Sequence, residues 1–207
     1  MTITTPASNI RLTTRQEGKQ EERTNRTWGD EMASQKCNKN IRIIFQNING
    51  FGYTRESLKS KIIKAFLTET EADIFGMSEV NVNWRITAKK NHIKDITRGW
   101  FEQQRTSTGY NQHDRSCDKY QPGGTGIISL GEAALRVMQT TQDPKRLGRW
   151  VSTLYRGKHN IKLRVIAAYF PNIPQLYGNK KVYCQQQKVL LQMEVNKPVA
   201  ICYWEDF

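Results

Sequence analysis

The first forty residues of this 207-residue chain hold nine hydrophobic residues and no periodic apolar stripe, so they read as a flexible tail. Order is expected from Ile41. Residues 41–45 are a short β-branched run that breaks into Gln46-Asn47-Ile48-Asn49-Gly50, which predicts a strand running into a loop. Leu58, Ile62, Ala65 and Phe66 then recur at spacings of three and four, with Lys59, Lys61 and Lys64 between them, the pattern of an amphipathic helix. Residues 73–77 read as a second buried strand that stops at Ser78-Glu79. Strand, helix and strand in that order predict a layered α/β arrangement.

Further along, residues 84–98 are expected to form a basic helix, and 103–124, with Gly109, Pro122, Gly123 and Gly124, a long loop. Strand character resumes over 125–130. Residues 150–155 and 161–169 flank a turn at Gly157-Lys158-His159-Asn160 and predict a hairpin. Pro171, Asn172 and Pro174 stop its second strand. A helix is expected over 180–194, with Val182, Val189, Leu190 and Met193 as its apolar side. No internal repeat is present.

Charge changes this picture in one region. Lys and Arg number 32 against 19 Asp and Glu, a formal charge of +13. The balance is +2 over residues 1–40, zero over 41–80, +10 over 81–165 and +1 over 166–207. An excess so concentrated could form a face for nucleic acid or another phosphate-rich partner; the plain alternative is a solvated surface. No run approaches 18 apolar residues, so no transmembrane helix and no membrane association is expected. The N-terminus lacks the apolar segment of a secretory signal, and the acidic residues that soon follow count against a transit peptide. Cys37, Cys117, Cys184 and Cys202 are scattered without a C-x-x-C pair and read as reduced thiols. A nuclear or cytoplasmic, non-secreted protein is expected, with no obligate protein partner.

Acidic residues are scarce, which gives their positions weight. Glu79 sits where a buried strand meets a loop, the usual place for a functional carboxylate in such a fold, although an ion pair or a turn cap would put it there too. Asn47, at the end of the first strand, could offer an amide oxygen to a metal, or use it for an Asx-turn. Tyr169 closes a strand just before a proline and could donate to a phosphate; a core tyrosine is as ordinary. Strands of one sheet could bring such ends to one edge, where a hard divalent cation would find oxygen ligands and a phosphate would find donors. Other patterns fail. Gly123-Gly124-Thr125-Gly126 lacks the Gly-Lys-Ser/Thr of a P-loop and reads as a tight turn into a strand. His92, His113 and His159 have no cysteine partners and read as surface residues. No Gly-x-Ser-x-Gly elbow is present.

From Ile41 to about Glu205 the chain resembles the endonuclease/exonuclease/phosphatase superfamily, and most closely the apurinic-type endonuclease domain that precedes reverse transcriptase in non-LTR retroelements. Four segments carry the likeness in order: 41–50 with its Asn and glycine, 73–81 with its glutamate, the glycine-led strand 121–127, and 165–172, where a tyrosine is trailed by proline and asparagine. The resemblance implies an α+β fold: a two-sheet β-sandwich flanked by helices, truncated at its C-terminal end. It also implies Mg²⁺-assisted attack of water on a DNA phosphodiester, with Mn²⁺ as a substitute. Glu79 would hold the metal, Asn47 would help position it, and Tyr169 would contact the phosphate.

Departures from the family pattern matter as much. Asn49 stands where many relatives have Asp. After Tyr169 the only acids are Glu194, Glu205 and Asp206, and no His follows His159, so the family's Asp-x-Asn and Ser-Asp-His motifs are absent. Residues 202–207 look like the helix before the missing Asp-x-Asn strand. The expected organisation is therefore a tail over 1–40 and, over 41–207, the N-terminal two-thirds of the domain. Without later strands the inner face of the first sheet would lack its partner, which predicts a poorly soluble or partly molten product. Two alternatives to a nuclease stay open: a non-catalytic nucleic-acid-binding remnant, and a phosphatase of the same superfamily.

Overall fold

A computed structural model describes residues 36, 40–113, 115, 117–159, 161–169 and 200–202. The expected tail over 1–40, apart from residues 36 and 40, lies outside the described residues, and so do the helix expected over 180–194 and residues 203–207.

The first strand, β1 (Ile43–Asn47), leads into helix α1 (Leu58–Glu69) and returns as β2 (Ile74–Ser78), parallel to β1. Two antiparallel strands complete this sheet, β3 (Gln104–Gly109) and β4 (Thr125–Leu130), in the order β1-β2-β4-β3. A short helix α3 (Gly131–Leu135) then feeds β5 (Val137–Gln142), β6 (Trp150–Arg156) and β7 (Lys162–Ala168) of a second sheet. Residues Ala200–Cys202 add β8, parallel to β7, and the order is β5-β6-β7-β8. The hairpin expected over 150–169 is β6–β7, and the strand expected over 125–130 is β4.

Side chains that alternate along the strands divide into two cores. Ile74, Ile127, Val151, Tyr155, Val165 and Ala167 are buried together between the sheets. Phe75, Met77, Ile128 and Leu130, on the other face of the first sheet, pack with Ile63 and Leu67 of α1 and with Trp84, Ile93 and Ile96. At Gly76, paired with Phe45, a Cβ would run into the Phe45 ring, so only glycine lets that ring lie across β2. The inner face of the first sheet thus has its partner. The expectation of an uncovered face fails because β5, β6 and β7, all within residues 137–168, supply the covering sheet.

Four local expectations are corrected. The buried face of α1 is Ser60, Ile63 and Leu67, while Leu58 and Ile62 are 74% and 54% exposed and Ala65 is exposed. Ser60 can take a core position because its hydroxyl donates to the Thr54 carbonyl at 3.1 Å and meets the Ser57 hydroxyl at 2.7 Å. The basic helix over 84–98 shrinks to a 3-10 turn (Lys89–Asn91) and a four-residue helix α2 (Ile93–Ile96), since Ile93 and Ile96 give one turn's worth of apolar face. The loop over 103–124 contains β3, whose Gln-Arg-Thr-Ser-Thr-Gly sequence is too polar to stand out; as an edge strand it needs a ladder on one side only. Cys202, expected at the start of a helix, belongs to β8.

A polar bond inside the sandwich has a measurable consequence. The Tyr155 phenol is 2.7 Å from the Ser129 hydroxyl across the two sheets. Burial pushes its pKa up from 10 to about 12, partly offset by hydrogen bonds with Ser129 and Thr153. Since the folded value lies above the unfolded one, the stabilisation is complete below pH 10 and is lost as pH rises through 12, about 3 kcal/mol over that interval. Denaturant melts of the wild type should show this loss relative to Tyr155→Phe, whose stability should lack that component. Parallel pH profiles for the two proteins would contradict it.

Candidate active site

Each of the three residues singled out in the sequence stands at a strand end. Asn47 is the last residue of β1 and pairs in register with Ser78, the last of β2; Glu79 follows immediately. From the spacing of neighbouring strands and the rise per residue, the backbones of Asn47 and Glu79 are roughly 6 Å apart. Tyr169 follows the last residue of β7, and its N–H donates to the Arg149 carbonyl at 2.7 Å. All three side chains are half-buried.

Backbone bonds between three loops hold these ends together. The Gly50 N–H donates to the Glu79 carbonyl (2.7 Å) and the Phe51 N–H to the Val80 carbonyl (2.8 Å), tying the β1 loop to the β2 loop. The Val80 N–H donates to the Gly124 carbonyl (3.2 Å) and the Asn81 N–H to the Gly123 carbonyl (2.7 Å), tying the β2 loop to the glycine turn before β4. The second sheet joins through Tyr169: a Cβ on Gly123 would lie 2.8 Å from Cε1 of its ring, so the ring rests on that glycine. Asn47, Glu79 and Tyr169 are thereby brought to one end of the sandwich.

Conformation at this end is unusual. Asn49, Glu79 and Asn81 have φ of 42°, 50° and 53°, and Gly50, Gly123 and Gly124 are left-handed as well. A left-handed glutamate costs roughly 1–2 kcal/mol, and such strain collects at functional sites. Asn47 Oδ1 accepts the Asn49 N–H at 3.0 Å, the Asx-turn that was the plainer reading of this residue.

Asn81 and Gly123 are what sequence reasoning missed. Gly123 had read only as a turn. Val80, Val82 and Trp84 alternate with Asn81 and Asn83, a pattern suggesting a continued strand, yet all five residues are buried. The available signal was the asparagine itself, a residue type that tolerates the left-handed region.

Two of the histidines are surface residues, whereas His92 packs against the Trp84 ring at 5.5 Å. His113 and His159 are exposed, His92 is half-buried, and ring nitrogens of His92 and His113 sit 3.0 Å from the carbonyls of Thr87 and Lys145. Among the described residues no three His, Cys, Asp or Glu side chains cluster, and no helix is long and apolar enough to cross a membrane. Cys117 is a free, exposed thiol. The basic excess does not gather on a single face. Exposed Arg85, Arg115, Lys119, Lys145 and Arg146 lie in loops at the end that carries Glu79, whereas Arg156, Lys158 and Lys162 surround the β6–β7 turn at the other end.

No protein-family model matches the chain, and no curated protein matches it in sequence. Solved structures do share its architecture. The Xenopus laevis APE2 catalytic domain superposes with a TM-score of 0.55 at 14% identity, over 79% of this chain and 57% of that one. An AP endonuclease from Archaeoglobus fulgidus gives 0.53 at 18% identity, over 81% and 57%. The human Nocturnin catalytic domain, with bound sulfate, gives 0.51 at 10% identity, over 80% and 64%. The chain thus spans less than two-thirds of the length of each. Two four-stranded sheets packed face to face, in this strand order and with this likeness, show that the chain has the endonuclease/exonuclease/phosphatase fold.

Proposed function

We propose that the chain hydrolyses phosphodiesters of DNA with a divalent metal, in the manner of the retroelement endonuclease domains its sequence resembles. The observation that carries this reading is the tying of the Asn47, Glu79 and Tyr169 strand ends to one another by backbone hydrogen bonds and by the Gly123–Tyr169 contact. The donor set fits Mg²⁺: Glu79 offers a carboxylate and Asn47 an amide oxygen. This ion is commonly held by one or two carboxylates, with substrate phosphate oxygens and waters completing its shell. When bound, the metal would neutralise charge that develops on the phosphate and leaving oxygen. Tyr169 donates its hydroxyl to a phosphate oxygen. Gly123 sets the height of its ring, because any side chain there would push it away. The loop cations Arg85, Arg115, Lys119, Lys145 and Arg146 hold the flanking DNA backbone.

Binding without cleavage is the competing reading, because the exposed loop cations could hold a DNA backbone without any metal. Supercoiled plasmid incubated with Mg²⁺ or with EDTA decides between them. Nicking should require the metal, and DNA binding should weaken roughly 100-fold between 50 and 200 mM salt if four of the loop cations contact phosphates. Salt-sensitive binding with no nicking would make the chain a binding remnant. Phosphate released from an inositol phosphate, again with no nicking, would make it a phosphatase.

A further inference from the structure

Asn81 is tied to Gly123 at two points. Its backbone N–H donates to the Gly123 carbonyl at 2.7 Å, and its side-chain Oδ1 accepts the Gly123 N–H at 2.8 Å. A backbone N–H needs an acceptor, so the orientation of this amide is decided: Oδ1 faces Gly123 and Nδ2 faces away. The two Nδ2 hydrogens find no acceptor among the described residues, and Nδ2 is not among the buried, unpartnered atoms of the structure. The residue as a whole is only 6% exposed. It lies two residues past Glu79, and the glycine it grips is the seat of the Tyr169 ring.

A fixed donor without a partner among the described residues, on the loop that follows Glu79, matches one ligand feature in particular. Phosphate oxygens accept and never donate, and a hydrogen bond to a charged acceptor is stronger than a neutral one. We propose that Asn81 is a further substrate-contacting residue, its Nδ2 donating to a non-bridging oxygen of the substrate phosphodiester while its Oδ1 keeps Gly123 in place under Tyr169. This deepens the phosphodiester reading above and rests on it.

The test compares the full chain with Asn81→Asp and Asn81→Gly, measuring affinity for a fluorescent duplex oligodeoxynucleotide in EDTA, so that metal binding does not enter. Aspartate tolerates positive φ and keeps an oxygen for the Gly123 N–H, but loses the donor. Glycine is at ease with positive φ and removes the donor without adding charge. Both variants should bind about 10- to 100-fold more weakly. The Gly123 amide should stay protected from hydrogen exchange in Asn81→Asp and lose protection in Asn81→Gly. Wild-type affinity in Asn81→Gly, or in Asn81→Asp with Gly123 still protected, overturns the proposal while leaving the phosphodiester reading intact. A wild-type chain that does not bind the oligonucleotide takes both down.

Discussion

Glu79→Gln should slow Mg²⁺-dependent plasmid nicking at least about 100-fold, because a metal contribution of roughly 3 kcal/mol to the transition state is lost with the carboxylate. The fold should survive the change. It is the Glu79 carbonyl, not its side chain, that receives the Gly50 N–H and locks the two loops together. Glutamine preserves that carbonyl, the side-chain volume and the left-handed backbone. DNA affinity in EDTA should be unchanged or higher, since a negative charge has left the phosphate site. Initial rates of supercoiled-to-open-circle conversion, with affinity measured separately, would separate the chemistry from binding. A variant that nicks at the wild-type rate would place the metal on other residues.

Phe75→Ala should cost about 3–5 kcal/mol of stability, the usual result of emptying a fully buried phenylalanine site. Phe75 has no exposed surface and sits on the helix-facing side of β2, with the Phe66 ring meeting it edge-on at 6.3 Å. The ring is a main contact between α1 and the strand that presents Glu79, so the cavity should loosen both. Thermal unfolding followed by circular dichroism should show a drop on the order of 10 °C for a chain of this size. Leu58→Ala, on the same helix but 74% exposed, should change stability by no more than about 0.5 kcal/mol. Equal losses in the two variants would mean that α1 packs by the face its sequence periodicity first suggests.

That contrast shows where the sequence was legible. The strand ends at Asn47 and Glu79 could be read because each is a break from an apolar run to a polar one, and that at Tyr169 because a proline follows shortly after. The β6–β7 hairpin could be read because its turn residues, Gly157-Lys158-His159-Asn160, sit between two segments rich in β-branched and aromatic residues. The face of α1 was misread because its apolar residues fit more than one stripe, and the choice falls to a polar residue, Ser60, whose hydroxyl is satisfied within the helix start. Edge strands β3 and β5 escaped notice because threonine, serine and glutamine can hold a one-sided ladder without burying an apolar face. Asn81 escaped because its partner, Gly123, is 42 residues away in sequence and the bond joins a side chain to the backbone of another loop.

The connection lengths of the two sheets also imply an order of assembly. Five residues separate β6 from β7, whereas 46 separate β2 from β4. By loop-closure entropy alone the longer connection costs about 2 kcal/mol more to close. The hairpin is therefore the natural early structure, and the β2–β4 pairing follows only when apolar contacts can offset the longer closure. Since the glycine turn reaches Glu79 and Asn81 through that later pairing, the end of the molecule that carries them should be the last part to form.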